Sequence, residues 1–168
     1  MRTRIPAAPA ASACALLLAL TVTACGSDDG PPQADDQQGV ADFLKDKVGC
    51  EDIDFLGADD LSEIRGEGIN GLDGGGECDQ ESGDIDFLHV TDMKVFAQSM
   101  ASQDGDGNSL LIGKDFALDV DRDQDVDKLI DAGLYILDCD PGMQTPDGYH
   151  REDVAAGCVA TDYRKDAE

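Results

Sequence analysis

Four cysteines constrain the fold of this chain more than any other feature. Cys50, Cys78, Cys139 and Cys158 form an even set downstream of an N-terminal segment that has the pattern of an export signal. Disulfides form in oxidising compartments outside the cytoplasm, so the set predicts two of them. Four cysteines allow three pairings, and closeness in sequence favours Cys50 with Cys78 and Cys139 with Cys158. Each bridge would contribute about 3 kcal/mol in the chain-entropy model. A zinc site is disfavoured, because no CxxC pair occurs.

The N-terminal segment is a short apolar run that follows Arg2 and Arg4 and ends at Cys25. Its last four residues, 22–25 (Val-Thr-Ala-Cys), match the lipobox, at which bacterial lipoproteins are cleaved and acylated. The match predicts that residues 1–24 are a lipoprotein signal peptide and that Cys25 carries fatty acyl chains such as palmitate. Because each buried methylene contributes about 0.8 kcal/mol, these chains would hold the protein at the extracytoplasmic face of the cell membrane.

Composition divides the rest of the chain into two parts. Residues 25–37 are rich in Gly, Pro, Asp and Gln and offer nothing to bury, which predicts a flexible tether. Residues 38–168 have the length of a single domain. The chain has 37 acidic and 12 basic residues, and its formal net charge is -25. Such a charge argues against nucleic acid as a partner and favours cations or a basic cell-envelope protein, although an acidic surface also serves solubility alone.

Apolar residues at helical spacing predict three main helices. The first begins near residue 38 and stops at Gly49, the second follows Thr91 as its N-cap, and the third runs from 126 to 137. Residues 60–64 add one short helix to an otherwise irregular acidic region that ends in a glycine run.

Alternating apolar and polar residues predict the strands. They are expected at 84–90, at 110–112 and 116–120 as a hairpin, and at 158–161 in a tail closed by a disulfide. Helices and strands in alternation predict an α+β domain, in which helices pack on one face of a small antiparallel sheet and two disulfides brace the fold.

These features together resemble the small exported lipoproteins of actinobacteria. The resemblance covers about residues 38–120 and implies a non-catalytic surface domain outside the cytoplasmic membrane, with no assigned substrate. It is carried by Val48-Gly49-Cys50 after the first helix, Gly76-Glu77-Cys78 in a strand, the helix after Thr91, and the hairpin turn at 111–116.

The candidate chemistry lies in two runs of alternating acidic residues. The loop 119–131 resembles the calcium loop of dockerins, but its sixth residue is Gln in place of Gly and its twelfth is Ile in place of Glu. Carboxylates that cap turns and helices explain the same pattern without a metal. A second run, 104–115, departs from the calcium pattern in a similar way. The alternative function is therefore a calcium-stabilised adhesion or scaffold domain, and calcium is its expected cofactor. The candidate ligands of the first run are Asp119, Asp121, Asp123 and Asp125.

Catalytic motifs are missing from the sequence. It contains no Gly-x-Ser-x-Gly turn, no HExxH and no phosphate-binding loop, and two disulfides would leave the domain without a free cysteine. His89 is interpreted as a packed strand residue and His150 as a loop residue. The expected function is therefore a non-catalytic binding or accessory module. A hydrolase that uses paired carboxylates is the least favoured alternative.

Overall fold

The computed structural model describes residues 30–80, 83–103, 110–140 and 142–164. The predicted signal peptide and Cys25 lie outside the described residues, as does most of the second acidic run. In the described part, four helices and eight strands follow one another along the chain. They are α1 (Gln37–Val48), β1 (Asp52–Phe55), α2 (Ala58–Gly66), β2 (Leu72–Asp79), β3 (Ile85–Val90), α3 (Met93–Met100), β4 (Leu110–Ile112), β5 (Phe116–Val120), α4 (Asp123–Asp131), β6 (Tyr135–Asp138), β7 (Arg151–Ala155) and β8 (Cys158–Thr161).

The strands form one antiparallel sheet in the order β1-β2-β3-β5-β4-β6-β8-β7. The predicted α+β class with an antiparallel sheet and two disulfides is confirmed. The predicted hairpin is β4 and β5, and the predicted strand at 84–90 is β3. The sheet is larger than expected, because β1, β6 and β7 also join it.

Apolar residues on both faces of the central strands build two cores. On one face, α1 and α4 pack through Leu44 and Leu129 against Phe87 and Phe116. On the other face, α3 packs through Phe96 against apolar residues of β3, β4 and β6. Helices therefore cover both faces, whereas the sequence predicted helices on one face. Strands such as β4 explain this difference. All residues of β4 are buried, so helices must pack on both faces of the sheet.

Side-chain caps set the helix boundaries. Asp36 caps α1 by accepting a backbone N–H at 2.8 Å, and Gly49 ends that helix in the left-handed conformation, as predicted. The cap of α3 is Asp92, which accepts the N–H of Val95 at 3.0 Å. Thr91 was predicted for this role, but its hydroxyl donates to a backbone carbonyl instead. None of the four helices in the described part is long and apolar enough to cross a membrane.

The acidic region 51–77 contains α2, which includes the short helix predicted at 60–64, and also β1 and β2, where the sequence predicted irregular structure. Its glycine run, 74–76, lies inside β2, because close neighbours leave no room for side chains. A Cβ on Gly76 would lie 2.7 Å from the ring of Phe87, and one on Gly75 would lie 2.9 Å from Cδ1 of Leu56. These glycines allow close packing within a strand, whereas their sequence pattern predicts a break in regular structure.

The third predicted helix is shorter than expected. α4 ends at Asp131, and Gly133, with a φ of 97°, turns the chain into β6. Leu134 and Leu137 have helical spacing with the apolar residues of α4, but Leu137 lies on the strand. Two leucines three residues apart are compatible with a helix or with a strand, and Gly133 sets the boundary between α4 and β6.

The favoured cysteine pairing is the one that the structure shows. Cys50 and Cys78 tie the end of α1 to β2, and Cys139 and Cys158 tie the chain after β6 to the start of β8. The predicted strand at 158–161 is β8, and β7, which was not predicted, pairs with it. One bridge therefore lies near β1 and the other near β7, the two edge strands of the sheet.

The last part of the predicted tether is bound to the domain. The carbonyl of Pro32 accepts the N–H of Lys114 at 2.8 Å. The carboxylate of Asp115 accepts the backbone N–H groups of Ala34 at 2.8 Å and Asp35 at 3.0 Å. The predicted tether boundary at residue 37 is therefore corrected, since the chain is held against the β4–β5 turn from Pro32 onward.

Candidate functional site

Four neighbouring strands each carry an acid, an apolar residue and a second acid in succession. In each triplet the middle residue packs into the core beneath α1 and α4. Because side chains alternate along a strand, both acids lie on the opposite face of the sheet. These eight exposed residues are named the acidic face. The triplets are Asp52-Ile53-Asp54 on β1, Glu77-Cys78-Asp79 on β2, Asp84-Ile85-Asp86 at the start of β3, and Asp119-Val120-Asp121 at the end of β5.

Strand pairing aligns one acid of each triplet into a first row. Asp54 lies opposite Glu77, Glu77 lies opposite Asp86, and Asp86 lies opposite Asp119. Opposed Cβ atoms on antiparallel strands are about 5 Å apart, which is close enough for their charges to interact. The first row thus places four carboxylates side by side across four strands.

The remaining acids form a second row at the ends of the same strands. Asp52 lies opposite Asp79, and the N–H of Asp121 donates to the carbonyl of Asp84 at 3.2 Å. One carboxylate oxygen from each of Glu77, Asp79 and Asp84 lies within 4.8 Å of the other two. Oxygens at this spacing suit a divalent cation, and these three residues are exposed or half-buried.

Mutual repulsion raises pKa values in the middle of the acidic face. The negative charge of Asp86, followed by that of Asp79, raises the pKa of Glu77. Burial raises the pKa of Asp86, and the charge of Asp119 adds to the effect. Like charges directly opposite one another destabilise a sheet. The acidic face therefore reduces the stability of the fold that carries it.

An apolar cavity of about 290 Å³ adjoins the acidic face. It lies between the helices α2 and α3 and the sheet, and Asp86 and Asp119 of the first row also line it. A ligand that carries a cation next to an apolar group would satisfy both parts of this site. The apolar lining includes Leu56, Ile64, Ile69, Leu88, Phe96 and Met100.

The predicted calcium ligands are divided between two places in the structure. Asp119 and Asp121 belong to the acidic face, whereas Asp123 and Asp125 lie in the first turn of α4. Among the described residues, these four do not converge into a group of ligand atoms that could share one ion. Residues 119–131 comprise the end of β5 and the whole of α4, whose N-cap residue is Arg122 and which has no side-chain cap.

Basic residues neutralise the acids at the start of α4. The Asp125 carboxylate is fully buried and pairs with Arg122 and, at 2.8 Å, with Lys128. Arg164 pairs with Asp123 on the exposed side of the helix. Acids are also favoured in a first helical turn by the helix dipole. The sequence signal against a calcium loop was therefore the presence of Arg122 and Lys128 beside the aspartates.

The two histidines and the end of the second acidic run lie outside the acidic face. His89 is buried, and its Nδ1 is 2.6 Å from a carboxylate oxygen of Asp73. The ring of His150 stacks on Tyr135 at 4.3 Å between centroids. Asp115 binds the N-terminal segment, and residues 104–109 of its run lie outside the described part. His89 is thus a packed strand residue and His150 precedes β7, as interpreted from the sequence.

Comparison of the chain with models of protein families, with curated proteins and with solved structures found no match. The resemblance to exported actinobacterial lipoproteins, the lipid anchor and the non-catalytic role therefore stay predictions. The site is interpreted from its own geometry and charge.

Most of the acidic face was missed by reasoning from sequence. Of its members, Asp119 and Asp121 were singled out, for calcium, and the acids of β1, β2 and β3 were not. The signal was the recurrence of acid-apolar-acid triplets, one in each of four strands. It becomes visible only when the strand order brings the triplets together.

Proposed function

We propose that this protein is a lipid-anchored, non-catalytic binding module on the extracytoplasmic side of the cell membrane, and that its acidic face binds a basic polypeptide. The lipobox at 22–25 supports the anchor, and two disulfides agree with an oxidising compartment. The binding role rests on one observation, the register that aligns the acids of four strands into rows.

The alignment of like charges favours binding over solubility. Acids that serve solubility alone work equally well when they are scattered over the surface. Three successive cross-strand pairs of the first row are instead acid against acid, and like charges that face each other in this way destabilise the sheet. A basic partner would relieve this repulsion on binding, so that the same charges that weaken the fold strengthen the complex.

The apolar cavity narrows the class of partner. A small cation would use the carboxylates but leave the cavity of about 290 Å³ unused. A basic segment with an aliphatic or aromatic side chain fits both parts, because the side chain can enter the cavity while Lys or Arg contacts Asp86 and Asp119 at its lining. The proposed partner is therefore a basic polypeptide with apolar residues between its cations.

Fluorescence anisotropy tests this proposal with the full chain in an uncharged detergent. The probe is a fluorescein-labelled peptide of three Lys-Lys-Phe-Gly repeats, and a second probe replaces each Phe with Gly. The test variant combines Asp54→Asn, Asp86→Asn and Asp119→Asn, which removes three charges of the first row. We expect the variant to bind the Phe probe at least tenfold more weakly, and the wild type to prefer the Phe probe over the Gly probe.

A charge-matched variant supplies the control. It combines Asp42→Asn, Asp131→Asn and Asp147→Asn, three exposed residues on α1, on α4 and in the tail. Its affinity should stay within about twofold of the wild type. Equal losses in the two triple variants would show that net charge alone attracts the peptide, and this would overturn the assignment. Competition by 1 mM calcium together with a lack of preference for Phe would assign the face to a divalent cation instead.

A further inference from the structure

A groove of about 900 Å³ lies beside the first described residues of the chain. It is bounded by the segment after Gly30, the start of α3, the β4–β5 turn, and residues of β6, β7 and β8. We name it the N-terminal groove. Its apolar lining includes Pro32, Met93, Ile112, Tyr135, Val154 and Ala160.

The position of the N-terminal groove follows from where the chain enters the domain. Gly30 lines the groove, and Pro32 is fixed by its hydrogen bond from Lys114. Four residues lie between Gly30 and the predicted lipid-bearing Cys25, and five fully extended Cα–Cα steps reach at most roughly 18 Å. An acylated Cys25 therefore holds the N-terminal groove close to the membrane surface.

The acidic face lies at the other end of the sheet. Lys114 precedes the first residue of β5, whereas Asp119 and Asp121 are at the end of that strand. β5 has five residues, and at about 3.3 Å per residue its two ends are roughly 13 Å apart. A domain anchored at the groove end thus carries its acidic face away from the membrane, where anionic headgroups would otherwise repel it.

Two exposed lysines bring positive charges to the N-terminal groove of a protein whose net charge is negative. Lys94 and Lys114 line it and are exposed, and within the described part neither forms an ion pair. The groove also contains two acids, Glu152 and Asp153. Asp153 pairs with Arg151 at 2.9 Å, and the carboxylate of Glu152 lies 3.9 Å from the ring of His150.

We propose that the N-terminal groove binds the phosphodiester headgroup of a membrane phospholipid, with Lys94 and Lys114 contacting the phosphate. The apolar lining, which includes Tyr135, would take the glycerol and the first methylenes of the acyl chains. Charge complementarity and the path of the chain toward Cys25 both select this occupant. The proposal rests on the lipid anchor of the proposed function, because the anchor brings the groove to the bilayer.

Amide chemical shifts of the full chain in dodecyl maltoside micelles test the proposal. The probe is dihexanoylphosphatidylglycerol, and inorganic phosphate is titrated in parallel. We expect the lipid to shift the amides of Ile112, Lys114 and Tyr135, and phosphate alone to shift them far less. The variant Lys94→Gln/Lys114→Gln should bind about thirtyfold more weakly, since each lysine near a lipid phosphate contributes roughly fivefold.

The control Lys45→Gln/Lys47→Gln removes the same charge from exposed positions of α1 and should leave the lipid affinity unchanged. Absence of shifts in the groove, equal shifts with phosphate alone, or equal losses in both lysine variants would overturn the proposal. Fatty-acid labelling of Cys25 and peptide binding to the acidic face are measured on the same preparation. A labelled, peptide-binding protein without groove shifts disproves the groove assignment alone, whereas an unlabelled protein disproves the anchor.

Discussion

Asp86 lies directly opposite Asp119 on the adjacent antiparallel strands β3 and β5. Both residues also line the apolar cavity, so part of their surroundings is a poor solvent for charge. Burial and the charge of Asp119 together raise the pKa of Asp86. Two negative charges on this pair weaken the sheet, and this cost can be measured.

Removal of one charge from this pair should stabilise the protein. We expect Asp86→Asn to increase the free energy of unfolding at pH 7 by about 0.5 kcal/mol, a value reduced because solvent screens a half-exposed carboxylate. Urea denaturation followed by circular dichroism measures the change. Asp131→Asn, which removes an exposed acid from the end of α4, is the control and should stay within about 0.3 kcal/mol of the wild type. A less stable Asp86→Asn would contradict the prediction.

The stabilising effect of Asp86→Asn should depend on pH. Since the pKa of Asp86 is raised in the folded state, the native protein binds more protons than the unfolded chain between the ordinary value near 4 and the raised value. The contribution of Asp86 to stability is therefore largest below that window and is lost as pH rises through it. The advantage of Asp86→Asn over the wild type should be full at pH 7 and close to zero near pH 4. Urea denaturation at half-unit pH steps tests this, and an advantage that is constant with pH would rule it out.

Local sequence patterns were sufficient for elements with strong signals of their own. The apolar stripe that begins at Val40 and the glycine at 49 define α1, and the alternation from Ile85 defines β3. Sequence proximity was enough to favour the two disulfides, because both loops close within neighbouring elements. The class of fold followed from the order of these elements.

The remaining features of the fold and of the site depend on long-range packing, which local sequence patterns do not show. Gly75 and Gly76 lie in β2 at positions where atoms of Phe87 and Leu56 leave no room for a Cβ. The acidic face is a property of strand order, since triplets that are far apart in sequence become neighbours only in the sheet. The aspartates before α4 fit both a calcium loop and a helix start, and the choice depends on Arg122 and Arg164.

The buried carboxylate of Asp125 should matter more for stability than the other aspartates of its run. Asp125→Ala removes the fully buried carboxylate that Arg122 and Lys128 share, so we expect a loss of about 2 kcal/mol. Asp123→Ala removes an exposed ion pair with Arg164 and should cost less than about 1 kcal/mol. Urea denaturation in 5 mM calcium and in 5 mM EDTA measures both. Similar losses for the two variants, present only in calcium, would restore the calcium-loop interpretation.

Asp115 holds the N-terminal segment on the domain and should control how far the domain stands from the lipid anchor proposed at Cys25. Its carboxylate accepts the backbone N–H groups of Ala34 and Asp35, and these charge-assisted bonds are part-buried or exposed, so Asp115→Ala should cost about 1 to 2 kcal/mol. Amide hydrogen exchange at Ala34 and Asp35 should become at least tenfold faster, while exchange in β3 changes only by the loss of global stability.

The control Asp119→Ala lies at the other end of β5 and should leave both amides protected. Unchanged exchange in Asp115→Ala would mean that the hydrogen bond to Pro32 alone fixes the segment. In a protein anchored at Cys25 as proposed, release of the segment would lengthen the chain between Cys25 and the fold and would move the N-terminal groove away from the bilayer.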